Sequence, residues 1–284
     1  MSTPEFLKVH STAYPAIDPT QPSLSAAGKT VLITGGATGI GIEIARSFAA
    51  AGASTVILVA RRANTLQSAS EELSKKYPST QILAYPTNIT DTESVEKLFK
   101  SAVEASTSQA VDILITSAAY FHEQKFSIDI PLRASFETNV LGNLNLVRSF
   151  LAAPSATQKI ILDVSTEAAF GNFPTTAAYG ATKYAFTHMM KHLQEEHPEL
   201  RVHSFHPGGI WTPAMENSGI QKEQIEHLLD EVELPGQFAV WLASEQAAFL
   251  KGRMVMAKWD VEDMVKNQKA FVIDPLLATI TLKV

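Results

Sequence analysis

Between Lys29 and Ala257 short apolar runs alternate with stretches whose apolar residues recur at helical spacing. Thr30 to Thr34 is a β-branched run ending in glycines, and Ile40 to Ala50 then sets Ile40, Ile44 and Phe48 on one helical face. Ser54 to Ala60 predicts a second strand, and a polar amphipathic helix follows from about Asn64 to Tyr77. Gln81 to Thr87 predicts a third strand, and Thr90 with Glu93 matches a capping box opening a helix to about Ser106. Strands are expected at Val111 to Ala118, Lys159 to Thr166, Arg201 to His206 and Arg253 to Ala257. Helices are expected from about Pro131 to Ala152, from Ala177 to Glu196 before His197-Pro198, and at Gln221 to Asp230 and Gly236 to Ala243. Nearly continuous apolar strands separated by helices predict an α/β domain with a parallel sheet covered on both faces.

Residues 1 to 27 break this alternation. Pro4, Pro15, Pro19 and Pro22 among Ser, Thr and Gln disfavour helix and central strand, so an extended arm or disordered tail is expected, with Phe6, Leu7 and Tyr14 able to pack. The chain then divides into this arm, a domain over 28–258 with a built-in substrate loop at about 210–232, and a C-terminal extension over 259–284. Hydrophobic residues at 45% and charged residues at 18% fit one large globular domain. A net charge of -6 argues against a nucleic-acid surface, and the lack of cysteine excludes disulfides and thiolate metal sites. Neither a secretory signal nor an apolar run long enough for a membrane span is evident, so a cytoplasmic protein without a membrane partner is expected.

Two motifs carry chemistry. Thr34-Gly35-Gly36-Ala37-Thr38-Gly39-Ile40-Gly41 joins the first strand to the first helix, where glycines let backbone approach a pyrophosphate at a helix N-terminus. It lacks the Gly-Lys-Ser/Thr ending of a nucleotide-hydrolysing loop. Tyr179-Gly180-Ala181-Thr182-Lys183 places a phenol and an ammonium one helical turn apart. A nearby lysine cation is expected to lower the phenol from its ordinary pKa of about 10 and fit it for proton transfer to a carbonyl.

The order and spacing of these motifs resemble the classical type of the short-chain dehydrogenase/reductase family, over roughly Lys29 to Ala257. The resemblance implies a Rossmann-type doubly wound, seven-stranded parallel sheet in a single domain. It also implies hydride transfer between a nicotinamide and a ketone or secondary alcohol. Tyr179 and Lys183 match the family's proton-transfer pair, and Asn139 its water-holding asparagine. Thr166 matches the hydroxyl that polarises the substrate oxygen, where serine is usual, with Ser165 as the alternative. Cofactor contacts are implied at Gly35, Thr38, Gly39, Ile40, Asn88 and Ala118, and at Pro207, Gly208, Ile210 and Thr212 in the segment that closes over the nicotinamide, besides Tyr179 and Lys183. The second strand ends in neutral Ala60 followed by Arg61 and Arg62. An acid there would select NAD, whereas guanidinium groups suit a 2′-phosphate, so NADP(H) is the expected cofactor. The C-terminal stretch Phe249 to Val261 looks like a fungal branch of the family, many of whose members act in secondary metabolism.

Several other features are expected to be structural. His188 and His192 share a helix face but lack a third metal ligand, His206 precedes a proline, and Asp163 within an apolar strand is expected to make a hydrogen bond. Phe121, His122, Phe170, Phe173, Trp211 and Met215 follow strand ends at the edge where ligands bind, predicting an aromatic pocket for a bulky hydrophobic substrate. The alternatives are an isomerase, dehydratase or cyclase on the same fold with a partly structural cofactor, or a non-catalytic dinucleotide sensor. The resemblance also implies a homodimer or homotetramer through the helices near 131–152 and 177–196, and the tail after Trp259 could cover a partner's pocket or simply pack locally.

Overall fold

The computed structural model describes residues 3–123, 126, 130–218 and 220–279. The last residues of the expected tail, Ile280 to Val284, lie outside them. The strands are β1 (Thr30–Thr34), β2 (Thr55–Ala60), β3 (Gln81–Pro86), β4 (Ile113–Thr116), β5 (Ile160–Val164), β6 (Arg201–His206) and β7 (Met254–Met256). They form one seven-stranded sheet in the order β3-β2-β1-β4-β5-β6-β7, with every pairing parallel. The order reverses between β1 and β4, opening a crevice at their carboxyl ends.

The helices are α1 (Gly39–Ala50), α2 (Ala63–Lys76), α3 (Thr92–Ala105), α4 (Leu132–Phe136), α5 (Asn143–Ala152), α6 (Ala177–Glu196), α7 (Pro213–Glu216), α8 (Lys222–Ile225), α9 (Glu233–Ala243), α10 (Val261–Lys266) and α11 (Gln268–Ile273). Strand side chains alternate between two apolar layers. Val31, Ile33, Val56, Leu58, Ile113, Ile115, Ile160 and Leu162 pack with α1, α2 and α9. Leu32, Ile57, Val59, Leu114 and Ile161 pack on the other face with α3, α5 and α6. On β5 this period puts Asp163 on the α6 side, where an apolar residue would otherwise stand.

The structure changes four local expectations. The cap of α3 is Asp91, whose side chain accepts from the Glu93 backbone N–H at 3.1 Å, while Thr90 bonds Asn88. The helix expected from Pro131 is interrupted by a wider π turn over Glu137–Gly142. There the Asn143 backbone N–H turns to Val140, and its side-chain amide takes the Asn139 carbonyl at 3.0 Å. Most of the helix expected at Gln221 to Asp230 is replaced by the single turn α8 and a tight turn at Glu226–Leu228. The N-terminal arm, read as extended or disordered, packs instead, with Leu7, Ile17 and Leu24 buried in the α1/α9 layer. Its His10 backbone N–H bonds the Lys258 carbonyl at 2.7 Å, and the Tyr14 hydroxyl accepts from the Val261 N–H at 2.9 Å. No helix among the described residues is long and apolar enough to cross a membrane.

Candidate active site

The carboxyl edge of β1, β2 and β4 to β6 opens into one cleft of about 1330 Å³. Its first half is made of backbone. The α1 N-terminus follows Thr38, an extended residue whose side chain makes no capping bond, so the first N–H groups of the helix face the cleft. Gly39 has a positive φ of +56°, a conformation that resists a side chain. A Cβ on Gly41 would lie 2.3 Å from the Gly35 carbonyl oxygen, so only glycine permits this turn. Thr34 braces the loop from below, its hydroxyl accepting from the Ser117 and Ala118 backbone N–H groups at 3.2 Å each. This loop, Arg61 and Arg62 after β2, and Asn88 after β3 all line the cleft. The cradle with its uncapped helix N-terminus fits a dinucleotide pyrophosphate, and two exposed arginines at the β2 end fit a further phosphate.

The second half is made of side chains. Strand alternation separates the two hydroxyl candidates on the β5 exit. Ser165 is buried, and its Oγ lies 2.6 Å from Thr187 Oγ1 on α6. Thr166 opens to the cleft, which Tyr179 also lines, and accepts from the Ala168 N–H at 3.2 Å. Phe121 packs edge-on against the Tyr179 ring with centroids 4.9 Å apart. Lys183 is buried, and its Nζ donates to the Val164 carbonyl at 2.8 Å and sits 3.4 Å from Asp163 Oδ1.

The expected lowering of the Tyr179 pKa does not hold. Burial and then the Asp163 charge push it up to about 12, against a downward pull from the Thr166 hydroxyl. Lys183, the expected source of the lowering, turns its ammonium onto β5, toward the Val164 carbonyl and the Asp163 carboxylate.

Asn139 is fully buried in the π turn. Its Oδ1 accepts from the Tyr120 N–H at 2.6 Å, and its Nδ2 donates to Thr182 Oγ1 at 2.9 Å. Thr182 in turn donates to the Tyr179 carbonyl at 2.8 Å, tying the β4 exit to the start of α6. Pro207, Gly208, Ile210 and Thr212 line the cleft after β6, and Thr212 caps α7 by accepting from the Met215 N–H at 3.3 Å. Of the expected aromatic pocket, Phe121, Phe173 and Met215 line the cleft. Phe170 packs against the α1/α9 core instead, and His122 stacks by Tyr120. Neither these two nor Trp211 lines the cleft.

Chemistry and spacing alone missed Asp230. Its carboxylate accepts from the Gly209 N–H at 3.0 Å and pairs with Lys258 at 2.9 Å, closing the base of the loop over the cleft. A lone acid in a polar stretch offers no sequence signal for this. Val9 and Trp259, which bridge the arm to the C-terminal extension, also line the cleft, a wall that only the fold reveals. No group of three or more metal-ligating side chains occurs among the described residues.

A family model of short chain dehydrogenases matches residues 29–223, a span that includes the glycine cradle and the Tyr179–Lys183 pair. The chain belongs to the short-chain dehydrogenase/reductase family. It is 36% identical over 279 residues to a short chain dehydrogenase/reductase of Claviceps purpurea, covering 96% of this chain and 92% of that one. It is 34% identical over 268 residues to the short chain dehydrogenase/reductase nsrO of Aspergillus novofumigatus, covering 90% and 89%. These relatives place it with fungal members of the short-chain dehydrogenase/reductase family. Among solved structures, a 7α-hydroxysteroid dehydrogenase complexed with NADH and 7-oxo glycochenodeoxycholic acid superposes with a TM-score of 0.74 at 25% identity, covering 86% of this chain and 96% of that one. As a member of this family the chain is an oxidoreductase of the kind that acts on small molecules with a nicotinamide cofactor.

Proposed function

We propose that this protein is an NADP(H)-dependent carbonyl reductase for a bulky hydrophobic ketone, with Tyr179, Thr166, Lys183 and Asn139 as its catalytic set. The observation that carries the reading is that Thr166 and Tyr179 line the same cleft as the glycine cradle. Gly35 to Ile40 and the α1 N-terminus would hold the pyrophosphate, and Arg61 and Arg62 the 2′-phosphate. Asn88 and Ala118 would flank the adenosine, Lys183 the nicotinamide ribose, and Pro207 to Thr212 the carboxamide. The bound nicotinamide supplies the hydride that reduces the carbonyl carbon.

Tyr179 then donates its proton to the carbonyl oxygen, which Thr166 polarises from the other side. Phe121, Phe173, Met215, Leu228 and Trp259 give the rest of the cleft an apolar lining suited to a bulky substrate. Leu141, Tyr184 and Met189 expose apolar surface along the π turn and α6, and we assign this face to a homo-oligomer contact. Light scattering with a charge substituted at Met189 tests that assignment, a monomer being the expected product.

The decisive assay sets NADPH beside NADH against a panel of aliphatic, aromatic and polycyclic ketones, with product chirality determined. Turnover of bulky ketones with NADPH preferred is expected. Tight NADPH binding with no ketone reduced would overturn the reductase reading.

A further inference from the structure

The N-terminal arm supplies a side of the cleft that the reductase reading does not use. Val9 pairs with Trp259 in an antiparallel bridge. The His10 N–H on the Lys258 carbonyl at 2.7 Å and the Asp260 N–H on the Lys8 carbonyl at 3.0 Å flank it. Residues directly opposite in such a bridge project to one face, and Val9 and Trp259 both line the cleft together with Thr3. Trp259 follows β7, the last strand of the sheet, so this wall stands beyond β6, on the far side of the catalytic half from β3. Trp259 is 1% exposed, its indole N–H meeting Thr3 Oγ1 at 3.4 Å, whereas Val9 is 55% exposed. A bare aliphatic side chain in a cleft is stabilised when an apolar ligand covers it.

The arm is fastened on both sides of Val9. The Lys8 N–H donates to Asp263 Oδ2 at 3.0 Å. His10 Nε2 lies 2.7 Å from Asp260 Oδ2, and its ring stacks on Tyr14 with centroids 3.7 Å apart. The Tyr14 hydroxyl donates to the Trp259 carbonyl at 3.3 Å and accepts from the Val261 N–H at 2.9 Å. The Ser11 carbonyl accepts from the Glu231 N–H at 2.9 Å, next to the Asp230 that holds Gly209 and Lys258. The arm therefore ties the C-terminal extension to the end of the loop over the cleft. With both flanks bonded, Val9 is preorganised to meet a ligand and not to move aside for it.

We propose that the N-terminal arm is a specificity-determining wall of the substrate site. Val9 meets the end of a bulky ketone remote from its carbonyl, and the clasp of His10 on Asp260 and Tyr14 holds it there. The inference deepens the reductase reading and rests on it for the class of ligand. A ketone too short to reach Val9 gains nothing from the wall, and a fused-ring ketone is selected by it.

The chain contains no cysteine, so Val9→Cys carries a single thiol. Its modification by a maleimide is timed with NADP+ alone and with acetophenone, 2-acetonaphthone or 2-acetylanthracene added. NADP+ alone should leave the rate unchanged. With 2-acetylanthracene at about ten times its calorimetric dissociation constant the rate should fall about 10-fold, and acetophenone should protect less. Val272→Cys, exposed on α11 and outside the cleft, should react alike throughout. In turnover, Val9→Trp should lower kcat/KM for 2-acetylanthracene about 10-fold relative to acetophenone, with NADPH affinity kept. His10→Ala added to Val9→Cys should speed modification, and an unchanged rate would remove the clasp from the proposal.

A Val9→Cys thiol protected by NADP+ alone, or left bare by 2-acetylanthracene that binds, overturns the inference. So does a Val9→Trp variant that keeps the wild-type size preference. Protection without reduction of any ketone sinks the reductase reading and leaves the wall standing. Reduction without protection does the reverse, and the absence of both sinks both.

Discussion

The two halves of the cleft are built on opposite principles. The half after β1 to β3 recognises by what is missing, with glycines bringing backbone within contact of itself and a helix end left uncapped. The half after β4 to β6 works by what is present, a chain of buried side chains from Asn139 through Thr182 to α6 and from Lys183 through Asp163 to Thr187. Adding an atom should ruin the first half, and removing one polar atom should ruin the second.

The largest effects separate the halves cleanly. Tyr179→Phe removes the donor oxygen from the catalytic half, and ketone reduction is expected to fall by about 10²–10⁴-fold with NADPH affinity kept. Gly41→Ala does the reverse. Its methyl would meet the Gly35 carbonyl at 2.3 Å, so the cradle must open and NADPH affinity is lost first. Calorimetric titration of NADPH beside steady-state kinetics checks both, and parallel losses in the two variants would break the distinction.

Within the catalytic half, the β5 exit gives a sharper contrast. Thr166→Ala removes the hydroxyl that opens to the cleft Tyr179 lines, and kcat should fall by about 10²-fold, in the range of a lost oxyanion donor. Ser165→Ala removes a hydroxyl that faces Thr187 and should cost stability more than rate. Equal rate losses would put both hydroxyls at the substrate oxygen.

The cofactor half yields a smaller effect. Arg61→Ala with Arg62→Ala should reduce the preference for NADPH over NADH by about 10–100-fold, the equivalent of about 1.5–3 kcal/mol for charge-assisted hydrogen bonds. An unchanged ratio of kcat/KM for the two cofactors would make both arginines solvent-facing charges only.

These contrasts also mark what the sequence made legible. The parallel sheet covered on both faces and the glycine cradle follow from apolar runs and glycine positions, because both depend on backbone and spacing, whereas the doubly wound arrangement of seven strands followed only from the family resemblance. The Tyr179–Lys183 pair was legible as a pair, but not the direction of its lysine. Lys183 turns toward β5 because Asp163 stands at an inward position of that strand, and the partner on α6 is set by packing rather than by local pattern. The π turn at Asn139 escaped for a related reason: a side-chain amide from Asn143 replaces a backbone bond without altering helical periodicity. Asp230 and the arm wall at Val9 and Trp259 depend on contacts between distant segments.

A last contrast, read in stability rather than in rate, is a pH dependence confined to the catalytic half. All histidines of the chain lie outside residues 29–110, and two lie on β6. Burial, with the Arg201 charge, takes His203 down to about 3, and burial with the Lys258 charge takes His206 down to about 4. His203 Nδ1 meets the Leu250 carbonyl at 3.1 Å, which fixes the neutral ring with that nitrogen as donor. Both folded values lie below the ordinary histidine value of about 6.5, so below it the unfolded chain holds protons that the fold refuses. Their contribution is complete above that pH and is lost as pH falls toward the folded values. Unfolding near pH 5 should therefore take up about two protons, each tilting stability by about 1.4 kcal/mol per pH unit. Urea denaturation at pH 7 and pH 5 measures the slope, and His206→Gln should remove about one proton's share of it. The same slope in that variant would show that His206 does not carry the acid sensitivity.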